Sequence, residues 1–168
     1  MIAISFPAGE LLLTAVWLLC RALVWLRQRR VDPKREAVLL LMYVNLAVLL
    51  RFVCYPFHPA DGHILPLLVD LKGLQPPRVN LRPLVHLSDY AVKREALINN
   101  LGNIALFIPS GVILPLVYRR LDRWWKVILA GAAMSLAVEL LQLLFPQNVS
   151  DVDDLLLNTL GTAIGCGI

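Results

Sequence analysis

A chain of 168 residues that is 58% hydrophobic, with a mean hydropathy of +0.69, is unlike an ordinary globular domain of its length. Sixteen Lys and Arg against twelve Asp and Glu leave a net charge of +4. The basic residues sit in tight loops and are not interleaved with aromatics on one face, which excludes nucleic acid as the expected partner. The bilayer is the partner that composition points to.

The expected architecture is all-α, a polytopic helical membrane protein in one integral membrane domain over residues 1–168. About five transmembrane helices are predicted, at roughly 10–27, 37–55, 99–118, 126–145 and 153–168, because a hydrocarbon core of about 30 Å needs about 20 apolar residues. The opening "MIAISFPAGE" has no Lys or Arg and the first run is followed by "RQRR", the reverse of a cleaved signal peptide, so the first helix reads as a permanent span. Stretches such as "LLLTAVWLLC" and "AVLLLMYVNLAVLL" lack the polar face that a soluble core helix would keep. Within these two spans, Arg21 reads as a snorkelling anchor and Arg51 as either an anchor or a functional group.

Residues 56–98 form a predicted Pro-rich external cap, since Pro56, Pro59, Pro66, Pro76, Pro77 and Pro83 forbid a single regular helix. Its pieces "HILPLLVDLKGL" and "NLRPLVHL" are apolar but too short to cross, and suit interfacial or re-entrant elements. His58, His63 and His86 also fall here without the i, i+4 spacing of a helical metal site, so they read as headgroup-zone histidines and no metal is assigned.

The third span, "NNLGNIALFIPSGVILP", places Asn99 and Asn103 on one face, with Pro109 and Pro115 expected to kink it. In the fourth, Glu139 and Gln142 share a face, and a glutamate there cannot reach water as a lysine does. The stretch "FPQNVSDVDDLLLNTLG" then sets Asp151, Asp153 and Asp154 against an apolar run. Ser150 is the expected cap, with Asp153 in a capping-box-like arrangement. Asp151 and Asp154 are left on one face that Asn158 continues. The fifth run reaches only about 24 Å at 1.5 Å per residue, so it is either a short, partly re-entrant helix or a chain cut before its natural end. Its Gly161 and Gly165 form a small-xxx-small pair, suited to packing on another helix or on a second copy. Cys20, Cys54 and Cys166 have no metal-like spacing and read as small apolar packing residues.

Arg27, Arg29, Arg30, Lys34 and Arg35 follow the first span, and Arg119, Arg120, Arg123 and Lys126 follow the third. Placing both loops in the cytoplasm puts the amino terminus outside and the carboxyl terminus inside. Asn99, Asn103, Glu139, Gln142, Asp151, Asp154 and Asn158 then fall at one level, just below the outer surface.

"VNLRPL" (79–84), "NNLGNIALFIPSGVILP" (99–115), "SLAVELLQLL" (135–144) and "DVDDLLLNTLG" (151–161) resemble, in that order, the blocks of the VanZ-like family of bacterial membrane proteins, over roughly residues 79–165. The resemblance implies a multi-pass protein of the bacterial cell membrane, and motif positions at Asn80, Pro83, Asn99, Asn103, Pro109, Gly111, Glu139, Gln142, Asp151, Asp154, Asn158 and Gly161. Phe107, Pro109 and Gly111 complete an intact FxPxG. The family takes its name from a member associated with resistance to teicoplanin-type glycopeptides, and it supplies no reaction. Where members often carry Gly-Arg shortly before the first aspartate, this chain has Gln147 and Asn148. An arginine that would neutralise the acids or grip an anionic headgroup is missing there, unless Arg51 or Arg82 substitutes.

Three functions fit these residues. A polar pocket formed by Asn80, Arg82, Asn99, Asn103, Glu139, Gln142, Asp151, Asp154 and Asn158 would bind a lipid headgroup, a cell-wall precursor or an amphiphilic glycopeptide antibiotic, and so contribute to envelope resistance. Alternatively Glu139 with Asp151 or Asp154 would be a catalytic acid–base pair, or hold a divalent cation against a lipid phosphate, although no serine or cysteine nucleophile is coupled to a histidine by motif. The third function is a structural subunit that assembles through Gly161 and Gly165. No cofactor is named by any of these residues.

Overall fold

The computed structural model describes residues 2–55, 64–70, 78–83, 93–146 and 148–168. The chain forms two compact units, Met1–Val69 and Asp70–Ile168. His58, His63, His86 and much of the expected external cap lie outside the described residues.

In the first unit a short strand β1 (Ile2–Ile4) pairs antiparallel with β2 (Leu67–Val69), Ile2 opposite Val69 and Ile4 opposite Leu67. Helix α1 (Phe6–Gln28) begins after an extended Ser5 with proline in its first turn, where the missing N–H costs no hydrogen bond. It ends where Arg29 turns left-handed, at φ 50°, and its N–H closes on the Trp25 carbonyl at 2.8 Å. Helix α2 (Pro33–Leu49) is capped by Asp32, whose carboxylate accepts from the N–H groups of Lys34 and Arg35 at 3.1 and 3.4 Å. It continues as a π-helical turn, Leu50–Cys54.

Arg21 does more than snorkel. Its Nε donates to Glu36 Oε2 at 3.0 Å and its Nη2 to Glu36 Oε1, while the Trp25 indole donates to the same Oε1 at 3.0 Å. This bidentate pair ties α1 to α2. At the other end of the hairpin Arg51 donates to the Tyr55 carbonyl at 2.8 Å and lies over the rings of Phe6 and Phe52. Tyr55 is buried, its hydroxyl donates to the Ser5 carbonyl at 3.2 Å, and burial pushes its phenol above the ordinary value. A Cβ on Gly9 would stand 2.3 Å from that hydroxyl oxygen, so a larger residue there would require the Tyr55 ring to shift. Helix α1 has no buried residue. An apolar helix with no buried face is what a lipid-facing span presents.

The second unit is built round its last helix. Strand β3 (Val79–Asn80) pairs in parallel with β4 (Ser150–Asp151), Asn80 opposite Asp151. Helix α3 (Lys93–Val117) runs unbroken through Pro109 and Pro115, and α4 (Trp124–Gln142) follows a short basic turn. From the first turn of α4 the Lys126 ammonium donates back to Asp122 at 2.5 Å and holds its carboxyl below the usual range. Helix α5 (Val152–Cys166) packs against both α3 and α4.

Glycine sets how closely these helices approach. A Cβ on Gly161 would meet the Ile104 carbonyl oxygen at 2.2 Å, one on Gly165 the Ile108 oxygen at 2.0 Å, and one on Gly111 the Thr162 oxygen at 2.2 Å. The small-xxx-small face of α5 is therefore occupied by α3 of the same chain. This corrects the expectation that Gly161 and Gly165 present a face to a second copy.

Four helical stretches are long and apolar enough to cross a bilayer among the described residues: Phe6–Gln28, Pro33–Cys54, Leu97–Val117 and Trp124–Gln142. At 15 residues α5 extends about 22 Å and is too short for a full crossing. The architecture is thus helical and polytopic, as its composition requires. The short strand pairs are additions that hydropathy does not signal.

Candidate functional site

The buried residues of α4 are Val127, Gly131, Ser135, Glu139 and Gln142, a stripe at three- and four-residue spacing and hence one face. Those of α5 are Asp153, Asn158, Gly161, Thr162 and Gly165. The two stripes meet rung by rung. Glu139 Oε2 accepts from the Asp151 N–H at 2.9 Å, Asn158 Nδ2 donates to Ser135 Oγ at 3.0 Å, and the absent side chain of Gly131 makes room for Thr162. Polar chemistry is concentrated where α4 ends and α5 begins.

Asp151 is the hub of that end. Its carboxylate accepts from Asn80 Nδ2 with both oxygens at 3.0 Å and from the Asp153 N–H at 2.9 Å. Asn80 is aimed by the N–H of Arg82, which donates to its Oδ1 at 3.1 Å. The N-cap of α5 is Asp151, with extended φ −124° and ψ 131°, and not Ser150 as its spacing predicts. The reason is the β3–β4 pairing: the Ser150 N–H donates to the Arg78 carbonyl at 3.0 Å, so that residue belongs to a strand and the helix starts one position later. Asp153, expected to serve only the cap, is buried at 5% exposure.

Asp154 accepts from Asn103 Nδ2 at 2.5 Å, which ties α3 to the cluster. Asn99, a turn earlier on α3, is exposed, as is Arg82, which joins the cluster through its main-chain N–H. Of the residues singled out by sequence, Asn80, Asn103, Glu139, Asp151, Asp154 and Asn158 are linked by hydrogen bonds within this end of the unit, and Gln142 is buried on the face of Glu139. Arg51 belongs to the first unit, engaged with Tyr55, Phe6 and Phe52. Gln147 lies outside the described residues, while the neighbouring Asn148 has a buried Nδ2 with no acceptor.

Among the buried acceptor atoms of the cluster that lack a donor, two stand deepest. Glu139 is 4% exposed and Asn158 1% exposed, and Glu139 Oε1 and Asn158 Oδ1 have no hydrogen-bond partner. Each is the second polar atom of a side chain whose other atom is satisfied, Glu139 Oε2 by the Asp151 N–H and Asn158 Nδ2 by Ser135 Oγ, on the α4–α5 seam. Among the described residues no group of three His, Cys, Asp or Glu has the geometry to hold a metal ion. Sequence reasoning missed Ser135 and Thr162, both fully buried on the seam. The signal was available, because Ser135 lies four residues before Glu139 and Thr162 four after Asn158, on the same helix faces.

Fold and cluster together define a multi-pass helical membrane protein whose polar residues gather at the junction of its last two helices. The chain belongs to the VanZ-like family: residues 40–168 match the family described as VanZ/LLP1. The match begins within α2 and so reaches further toward the amino terminus than the blocks from residue 79 onward. No curated protein and no solved structure matches the chain.

Proposed function

We propose that the carboxylate and amide cluster at the α4–α5 junction binds the polar head of an amphiphile at the outer leaflet and changes access to it. The head would be that of a lipid, a lipid-linked cell-wall precursor or a glycopeptide antibiotic such as one of the teicoplanin type. The observation that carries this reading is the pair of buried, donorless acceptors, Glu139 Oε1 and Asn158 Oδ1. A buried acceptor without a donor costs about 1–3 kcal/mol, a cost that a ligand bearing hydroxyl or ammonium donors removes on binding. The outward placement follows from assigning the basic loops to the cytoplasm.

The enzymatic alternative is less well supported by the same geometry. The Asp151 carboxylate is directed at Asn80 and at the N–H of Asp153, and Glu139 is engaged with the Asp151 main chain. Glu139 and Asp151 thus each spend a carboxylate oxygen on a backbone or amide partner, and Asp154 accepts from Asn103, which favours binding over an acid–base role. The test is binding of headgroup-matched lipids, a lipid-linked disaccharide peptide and a lipoglycopeptide to the purified full chain, with Glu139→Gln alongside. The reading expects one of these to bind and the variant to weaken it by about tenfold, the worth of one hydrogen bond to a charged group. Binding indistinguishable from that to a neutral detergent, or unchanged by Glu139→Gln, would overturn it. Turnover of a lipid-linked substrate that vanishes with Glu139→Gln would favour the enzyme.

A further inference from the structure

The turn between α1 and α2 borders an open recess of about 560 Å³ lined by Gln28, Arg30, Val31, Asp32, Pro33, Arg35 and Glu36. That volume is in the range of small-molecule sites. The recess lies wholly within the first unit and is independent of the cluster on α4 and α5.

Its electrostatics are lopsided. Arg27, Arg29, Arg30, Lys34 and Arg35 crowd a turn whose acids are Asp32 and Glu36. Both acids are already answered from inside the protein: Asp32 accepts from the main-chain N–H groups of Lys34 and Arg35, and Glu36 is held by Arg21 and the Trp25 indole. Among the described residues none of Arg27, Arg29, Arg30 and Lys34 has an ion-pair partner. With Glu36 paired to Arg21, the turn keeps five basic residues against the one remaining carboxylate of Asp32, and that excess favours anions in the recess.

Position selects the kind of anion. Both helices that end here are long and apolar enough to cross a bilayer, so the turn between them falls at the level of the lipid phosphates, where basic residues attract anionic headgroups. Arginine can bind phosphate bidentately. We propose that this recess is a binding site for the phosphate headgroup of an anionic phospholipid, held chiefly by Arg30 and Arg35.

The orientation role of the same charges is generic and would be served equally by Arg119 and Arg120 in the α3–α4 turn; that supplies the control. The full chain is reconstituted in equal parts phosphatidylglycerol and phosphatidylcholine, released gently, and the retained lipids counted by native mass spectrometry. Phosphatidylglycerol should be retained in preference. The preference should fall about fivefold for each arginine removed in Arg30→Gln and Arg35→Gln, survive in the Arg30→Lys/Arg35→Lys double variant, and be untouched by Arg119→Gln/Arg120→Gln. Equal retention of the two lipids, or an equal loss in the control variant, overturns the proposal. A second arm adds inorganic phosphate to wild-type protein. Displacement of phosphatidylglycerol only at phosphate concentrations far above physiological supports the lipid as occupant, whereas displacement at low phosphate makes free phosphate the occupant and overturns it. Should the glutamine variants fail to fold, the lysine variant and the phosphate arm still decide.

Discussion

Replacing Gly161 with alanine adds one methyl group where the α3 backbone already stands. The new Cβ would lie 2.2 Å from the Ile104 carbonyl oxygen and 3.0 Å from its carbon, against the 3.4 Å at which ordinary contact begins. The obstacle is main chain, so no rotamer change relieves it, and α3 and α5 must part by about 1 Å. A gap of that size forfeits a quarter to a half of each van der Waals contact, each worth about 0.1–0.2 kcal/mol. Over some 20 atom pairs along the seam the loss is about 0.5–2 kcal/mol, overlapping the roughly 1–3 kcal/mol that overpacking costs in well-packed cores. Alanine's better helix propensity works the other way by up to about 1 kcal/mol, and Gly102→Ala measures that gain alone, because a Cβ there meets nothing within 4 Å. Unfolding in mixed micelles, followed by far-UV circular dichroism during titration with sodium dodecyl sulfate, should place Gly161→Ala about 1 kcal/mol below Gly102→Ala. Equal stabilities would refute the close α3–α5 seam.

Asp151→Ala should cost about 1–2 kcal/mol through loss of the α5 cap and of both Asn80 contacts, whereas Asp151→Asn, which can still accept from the Asp153 N–H, should cost less than half as much; the same titration reads both. A double-mutant cycle with Arg21→Met and Glu36→Gln should give a coupling of about 1–3 kcal/mol, because the pair is bidentate and shielded, at 12% and 22% side-chain exposure. A coupling near zero would mean that the two helices of the hairpin are held without it.

The spans were legible because the demand of a bilayer for apolar length is local and needs no knowledge of partners. The gathering of Asn103, Glu139, Asp151, Asp154 and Asn158 was legible too, since ionisable and amide groups in apolar runs are rare enough to stand out. What failed was anything set by pairing over distance. The cap moved from Ser150 to Asp151 because strand pairing with Val79 and Asn80 claims Ser150, and nothing within the aspartate stretch reveals a partner 71 residues away. The Arg21–Glu36 bond was missed for a weaker reason. Two spans joined by a short turn run antiparallel, which brings Arg21, seven residues before the end of α1, alongside Glu36, three residues into α2. Ser135 and Thr162 escaped notice because small hydroxyl residues are common in membrane helices and only their register with Glu139 and Asn158 singles them out.

The two ends of the α5 seam are mechanically one device. Glycines at 111, 161 and 165 let α3 and α5 approach until backbone meets backbone, and at that distance sliding one helix along the other would drive side chains into main chain. The register is therefore fixed by the glycine end, while the chemistry sits at the acid end. Asn103 meets Asp154 only in that register, and two turns separate Asp154 from Gly161 on α5. On the α4 side the same logic holds, with Gly131 admitting Thr162 so that Ser135 can reach Asn158 and Glu139 the N–H of Asp151. Thus the buried acceptors of Glu139 and Asn158 are held in place by packing that contains no polar atom of their own. A site of this kind can keep two acceptors unsatisfied, because the helices cannot shift to satisfy them without giving up the glycine contacts.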